Sequence, residues 1–360
     1  MTTQLRSYIA PGAPATRTPC DGSESALRIE FGFTPRWYQK HLGIDFSNRW
    51  HVDPIYRGET VTAMRRELHR RFPSLFPAAY PIPAMNLDGV HGALVVCGLF
   101  GIPGEYYADN WPAARHAYLS EEAIAALEKP SLADMPMMAQ VFEQMDTIER
   151  ECGQITGYLN WQGVLNNAYR LRGPELFADM LMNPGLARHL FEVIAETMIA
   201  GMRLVYARQA QTGVRIRHST VSNCLVNMVS PELYREHLLP WDKHLAQAFP
   251  AFGIHNCAWN ADPYIDDYAT VEPLGYIDMG VESDLARARE RCPNARRALM
   301  YTPKDLHHKS PDELRNDLAR IARDYAPCDI VMADIDYETP DERVLFFAKL
   351  AEEVMTDSPQ

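Results

Sequence analysis

The stretch Ala26-Leu27-Arg28-Ile29-Glu30-Phe31-Gly32-Phe33 alternates apolar and polar positions and predicts a first β-strand, with Arg36-Trp37-Tyr38 at its C-terminal end. Residues 59–71 follow a helical pattern. Residues 77–115 read as an irregular, Pro- and aromatic-rich region around an apolar strand, Ala93 to Leu99. From about residue 150 the rhythm becomes regular. Ile155 to Trp161 reads as a strand, and Pro174 to Met182 and Pro184 to Gln211 as helices, the second carrying Leu190, Val193, Ile194, Met198 and Leu204 near helical spacing. Further strands are expected at Val214 to Cys224, at the run ending in His255 and Cys257, at Gly275 to Met279, Arg297 to Tyr301 and Asp329 to Asp334.

Three helix starts share one chemistry: Ser230-Pro231-Glu232-Leu233, Ser310-Pro311-Asp312-Glu313 and Thr339-Pro340-Asp341-Glu342. Each sets a hydroxyl at the N-cap, proline at the first helical position and acids in the first turn. Strand, loop and capped helix in repetition imply βα units and a parallel sheet. Neither a GxGxxG nor a GxxxxGK[ST] turn occurs, so the pattern favours an α/β fold of the single (β/α)8 TIM-barrel type over an open dinucleotide-binding sheet. The barrel is expected over 26–356. Residues 1–25, rich in Pro, Gly, Ser and Thr, read as a flexible N-terminal arm.

With 360 residues, 47% hydrophobic and 23% charged, the chain has the profile of a globular protein with a sizeable core. A net charge of −12 and the absence of a dense basic run argue against nucleic acid as a partner. No apolar run reaches membrane-spanning length, and the first residues lack a secretory-signal order, so a cytoplasmic protein is expected, with no membrane partner. The seven cysteines form no CxxC, which fits reduced thiols.

One short segment carries the chemistry. In Phe252-Gly253-Ile254-His255-Asn256-Cys257-Ala258 an imidazole and a thiol stand two positions apart at a strand end, and strand side chains two apart share a face. Thiolate sulfur and imidazole nitrogen together suit zinc. With 12 His and 7 Cys, chance alone gives about 0.23 His-x-Cys per chain of this length, so the weight lies on position rather than spacing.

The run Gly157-Tyr158-Leu159-Asn160-Trp161-Gln162-Gly163-Val164-Leu165-Asn166-Asn167-Ala168 with Arg172-Gly173, then Val229-Ser230-Pro231-Glu232-Leu233-Tyr234 with Leu239-Pro240, Tyr276-Ile277-Asp278 with Asp284-Leu285, and Thr339-Pro340-Asp341-Glu342-Arg343-Val344, resembles the uroporphyrinogen decarboxylase superfamily over about residues 150–350. The resemblance implies a single-domain (β/α)8 barrel with its cleft at the C-terminal strand ends. Two branches compete. The metal-free decarboxylase branch grips carboxylates through an early arginine-bearing segment; Pro35-Arg36-Trp37-Tyr38-Gln39-Lys40-His41 keeps the Trp but not the arginine order. The corrinoid-linked methyltransferase branch is marked by His-x-Cys-Gly and a later third zinc ligand, usually Cys, ahead of a Thr-Pro start. His255-Asn256-Cys257-Ala258 favours this branch.

The resemblance then implies a zinc-dependent methyltransferase moving a methyl group between a corrinoid (cobamide) and a small substrate, a methoxylated compound or a thiol. The corrinoid would arrive on a separate carrier protein, since no Asp-x-His-x-x-Gly module is present. A homodimer is compatible with the sequence but not required by it. The place of the third ligand falls on Ala333-Asp334, so Asp334 is the preferred third ligand beside His255 and Cys257, with Asp336 on the same face and Cys224 ranked second; Cys328 lies too early on its strand. Strand ends supply candidate substrate-binding residues: Tyr38, Asn160, Gln162, His218, Asn223 and Asp278. Asp278 also suits a partner to His255. Alternatives are a metal-free decarboxylase anchored on Asp278 or Asp334, and a non-catalytic barrel that binds a cobamide or its carrier.

Overall fold

A computed structural model describes residues 26–357; the expected N-terminal arm, 1–25, lies outside them. The first strand, β1 (Leu27–Phe33), is followed by a short antiparallel hairpin, β2 (Gly104–Glu105) and β3 (Ala113–Ala114), and then by β4 (His218–Ser222), β5 (Ala251–His255), β6 (Leu274–Gly280), β7 (Arg296–Met300) and β8 (Cys328–Ile335). Apart from the hairpin these strands form one parallel six-stranded sheet in the order β1-β8-β7-β6-β5-β4. Every residue of β4 is buried, as are all but the first of β6, which is the condition of parallel strands covered on both faces. Helices separate successive strands, among them Pro184–Gln211 before β4, Pro311–Asp324 before β8 and Asp341–Asp357 after it.

The α/β character and parallel order agree with the expectation, but six strands are regular where eight are expected. Ile155 to Trp161 is extended without a ladder. Gly157 has φ +93, and its backbone lies so close to Leu87 that a side chain there would overlap the Leu87 amide. Such a residue breaks the alternating pleat, leaving the single bond from Leu87 N to Thr156 O at 3.0 Å. Segment 155–163 nonetheless runs beside β4, because Gly163 packs against the Ser222 carbonyl and the Asn223 side chain.

The apolar run Ala93 to Leu99 is a second difference. Val95–Leu99 is a short helix, with Gly98 N bonded to Leu94 O at 2.9 Å. A brief wholly apolar run has no periodicity to separate buried strand from buried helix. Two capped starts behave as expected: Ser230 accepts from Leu233 N, and Ser310 and Glu313 form a reciprocal capping box; the last helix begins at Asp341, one residue beyond the expected Pro340.

At the N-terminal end of the sheet Asp329 binds Arg28 (2.8 Å) and Arg296 (2.9 Å), tying β1, β8 and β7 together. At the opposite end the chain is packed backbone to backbone. The Gly280 amide donates to Trp259 O at 3.0 Å, and a methyl group on Gly280 would overlap the Ala258 carbonyl. Among the described residues no helix is long and apolar enough to cross a membrane.

The crowding at Gly280 makes a prediction. Gly280→Ala must displace the backbone at 258–259, directly after Cys257, because no flexible side chain is available to yield. The variant is expected to stay folded, with its unfolding free energy lowered by about 1–3 kcal/mol, and to show changed reactivity of Cys257 towards a thiol reagent. A wild-type reactivity would disprove the coupling between that glycine and the loop.

Candidate metal centre

The parallel register of β4 and β5 pairs Ser222 with His255. Asn223 N extends the ladder to His255 O at 2.7 Å, after which both chains leave the sheet. Two residues beyond each of these paired positions, past the ends of β4 and β5, stand Cys224 and Cys257; the strand expected to run through Cys257 stops at His255. Cys257 has φ +57, an uncommon conformation for a residue with a side chain, and its Sγ donates to Cys224 Sγ at 2.8 Å while lying 3.2 Å from His255 Nε2. One ligand atom from each of Cys224, His255 and Cys257 lies within 4.8 Å of the others.

Behind the imidazole is Asp278, at the centre of β6 and wholly buried. Its Oδ2 meets His255 Nδ1 at 2.7 Å and accepts from Tyr276 Oη at 2.7 Å; its Oδ1 accepts from Asn256 N at 2.7 Å. The Asn256 amide donates to Asp278 O at 2.8 Å and accepts from Tyr268 Oη at 2.8 Å. The carboxylate therefore fixes the Nδ1 proton and aims Nε2 at the two sulfurs.

The electrostatics follow from this packing. The hydrogen bond from Cys257 holds the Cys224 thiol well below its ordinary pKa against the opposing effect of burial, and the same bond pushes the Cys257 thiol up. Burial alone would lower the His255 pKa, but the Asp278 carboxylate and the sulfurs outweigh it and hold it well above its usual value.

Two sulfurs and an imidazole nitrogen, the latter backed by a carboxylate, form a donor set of the kind that selects zinc. Zinc with Zn–S near 2.3 Å would separate two tetrahedral sulfurs by about 3.7 Å, so opening the 2.8 Å contact by roughly 1 Å, a side-chain rotation, fits the ion. Three protein ligands leave a fourth position for substrate or water. The residues present fit the group.

The structure separates the other expected site residues. Asp334 has φ +63, is exposed and accepts from Trp111 Nε1 at 3.2 Å, outside the trio; the third soft donor beside His255 and Cys257 is Cys224. The reason is register: Asp334 ends β8, which is separated from β5 by β7 and β6, whereas β4 is hydrogen-bonded to β5. Asp336 is taken by Arg36 at 3.5 Å. Tyr38 is not at the cleft. It belongs to the helix Pro35–Leu42 and is fully buried among Phe33, Trp37 and Phe46. His218 opens β4 at its N-terminal end, about 13 Å of strand below Ser222, with its ring stacked on Tyr158. Asn223 sits next to Cys224, but its Nδ2 donates to Asp242 Oδ2 at 2.8 Å. Asp278 supports His255 and stays outside the trio.

Asn160 and Gln162 occupy the loop beside β4, where they order a residue that the strand pattern does not reveal. Asn160 Oδ1 accepts from Gln162 N at 3.1 Å and Gln162 Nε2 at 2.9 Å; Gln162 Oε1 in turn accepts from Asn166 Nδ2 at 3.0 Å and from Arg170 at 3.3 Å. Asn166 Oδ1 accepts from Leu225 N at 3.2 Å, immediately after Cys224. Arg170 lies on the helix Val164–Arg172, away from any strand end in sequence, and this network ties it to the site.

No protein-family model and no curated protein matches the chain. Among solved structures it is similar to a methyltransferase from Methanosarcina mazei, with 15% identity, 95% of each chain covered and a TM-score of 0.63. At that identity the likeness speaks for the fold.

The Asp278–His255 pair yields a second prediction. Asp278→Asn keeps the shape but removes the charge behind Nδ1, and is expected to weaken zinc binding by about 10- to 100-fold in competition with a chromophoric chelator. An affinity equal to wild type would show that the carboxylate does not orient the imidazole for a metal.

Proposed function

We propose that this chain is a zinc-dependent methyltransferase that moves a methyl group between a corrinoid, brought by a separate carrier protein, and a small methoxylated or thiol substrate. The observation that carries the reading is the convergence of Cys224, Cys257 and His255 at two adjacent strand ends, with Asp278 behind the imidazole. The likeness to a protein named a methyltransferase supports methyl transfer in general. In this reading the segments around Leu87 and Thr156 take the places of two barrel strands, so that the sheet closes as a TIM-like barrel with the trio in its mouth.

Cys224, Cys257 and His255 would hold the ion, which when bound lowers the pKa of a substrate thiol or polarises a methoxy oxygen. The chain's own residues set the terms for that chemistry. Asp278 retains the Nδ1 proton on His255, so the imidazole stays a Nε2 donor throughout. Two thiolates leave more electron density at the site than one thiolate and a carboxylate would, which suits activation of a soft sulfur nucleophile. The positive φ of Cys257 and the tight fit at Gly280 hold the second sulfur against relaxation into the loop.

The purified protein is expected to contain about one zinc per chain, lost in Cys224→Ala, Cys257→Ala and His255→Ala but kept in Asp334→Ala. With methylcobalamin and mercaptoethanol, wild type and Asp334→Ala are expected to demethylate the corrinoid, read from its visible absorbance, and the three ligand variants to be inactive. Retention of zinc by Cys224→Ala together with its loss from Asp334→Ala would overturn the ligand assignment; zinc-loaded protein inert towards both thiols and methoxy compounds would overturn the activity.

A further inference from the structure

The guanidinium of Arg170 is half-buried and has no carboxylate partner among the described residues. Its hydrogen bonds all go to neutral oxygens. Nη1 and Nη2 share Gln162 Oε1 end-on, each at 3.3 Å, and Nη1 also reaches Asn166 O at 3.3 Å. That arrangement consumes both Nη1 protons and one of Nη2. The protons left over are Nε–H and the second on Nη2, which lie side by side along one edge of the plane. This edge is the fork that matches the two oxygens of a carboxylate.

Two further features place this side chain near the metal centre. Asn166, whose carbonyl meets Arg170, holds Leu225 N through its side chain, one residue from Cys224, and the sulfur of Cys224 acts electrostatically on the guanidinium. The orientation is also built in advance: Asn160 fixes the amide of Gln162, Gln162 at φ +57 presents Oε1, and Oε1 clamps the far edge of the guanidinium. Burial lowers the Arg170 pKa, and the sulfurs of Cys97 and Cys224 only partly oppose that shift. A cation so held and so oriented has a strong use for an anion from outside the chain.

We infer that the free edge of Arg170 binds a carboxylate on the small substrate whose sulfur or methoxy oxygen faces the Cys224–His255–Cys257 trio. This deepens the methyl-transfer reading and rests on it for the substrate's other end. Asn160 and Gln162, by this inference, are positioning residues that aim Arg170.

Calorimetric titration of the zinc-loaded protein with mercaptoacetate and mercaptoethanol, together with their turnover against methylcobalamin, tests the inference. Wild type is expected to prefer mercaptoacetate by about 10- to 100-fold in both binding and kcat/KM. Arg170→Gln is expected to bring the ratio close to one, and Arg170→Lys, a charge without the fork, to an intermediate value, with zinc content and circular dichroism checking each fold. No preference in wild type overturns the inference even if mercaptoethanol is turned over, and so does a preference that survives in folded Arg170→Gln. Mercaptoacetate binding that depends on Arg170 in a protein inert towards both thiols upholds the carboxylate grip and removes methyl transfer instead.

Discussion

The parallel pairing of Ser222 with His255 is the constraint on which the site depends. In a parallel ladder the vertical offset between two strands is fixed by hydrogen bonds of the backbone, so it cannot drift with side-chain identity. With Ser222 and His255 level and Asn223 N bonded to His255 O, the two chains leave the sheet side by side, and Cys224 and Cys257 meet just past it. A slip of the register would part the two thiols and dissolve the trio.

Around that pairing the structure removes freedom in two ways. Polar groups lock the imidazole: Asp278, itself fixed by Tyr276 and Asn256, receives His255, so rotating the ring would break its bond to a buried carboxylate. Backbone contact locks the sulfurs: Gly280 admits the Ala258 carbonyl, and Gly163 admits the Ser222 carbonyl, each where a side chain would push a cysteine-bearing loop outward. Cys257, Gln162 and Asp334 all hold positive φ at or just past the ends of extended segments, which concentrates backbone strain at one end of the sheet.

The same end carries an asymmetry of charge. The trio supplies soft donors and negative sulfur, while Arg170, one helical turn from Asn166, supplies a cation whose partners are all neutral. A ligand with a nucleophilic or methylated end and an anionic end complements both. The polar chain from Asn160 through Gln162 to Arg170 has the character of a rigid support, since each acceptor in it is already occupied by the next donor.

Alternation in 26–33, the capped starts at Ser230, Ser310 and Thr339, and the apolar strands are local signals, so the sequence alone determined an α/β chain with parallel strands and a His255–Cys257 pair at a strand end. Chemistry also stood out there, as two soft ligands two residues apart; yet the strand stops at His255, and it is the turn at Cys257, φ +57, that sets its sulfur beside the imidazole. The third donor depended on which strand ends are neighbours in space. Asp334 satisfied the order of residues along the chain, but β8 lies three places from β5, and among the described residues it is the β4–β5 ladder that brings a third soft atom within reach. Gly157 broke a strand that its neighbours' composition favoured, and Tyr38 and His218 were drawn into aromatic packing, since burial of a ring depends on what surrounds it rather than on its position in a motif. Local rules thus set the elements and one pair of ligands; the register and the packing of distant segments decided which cysteine joins them and where the lone guanidinium stands.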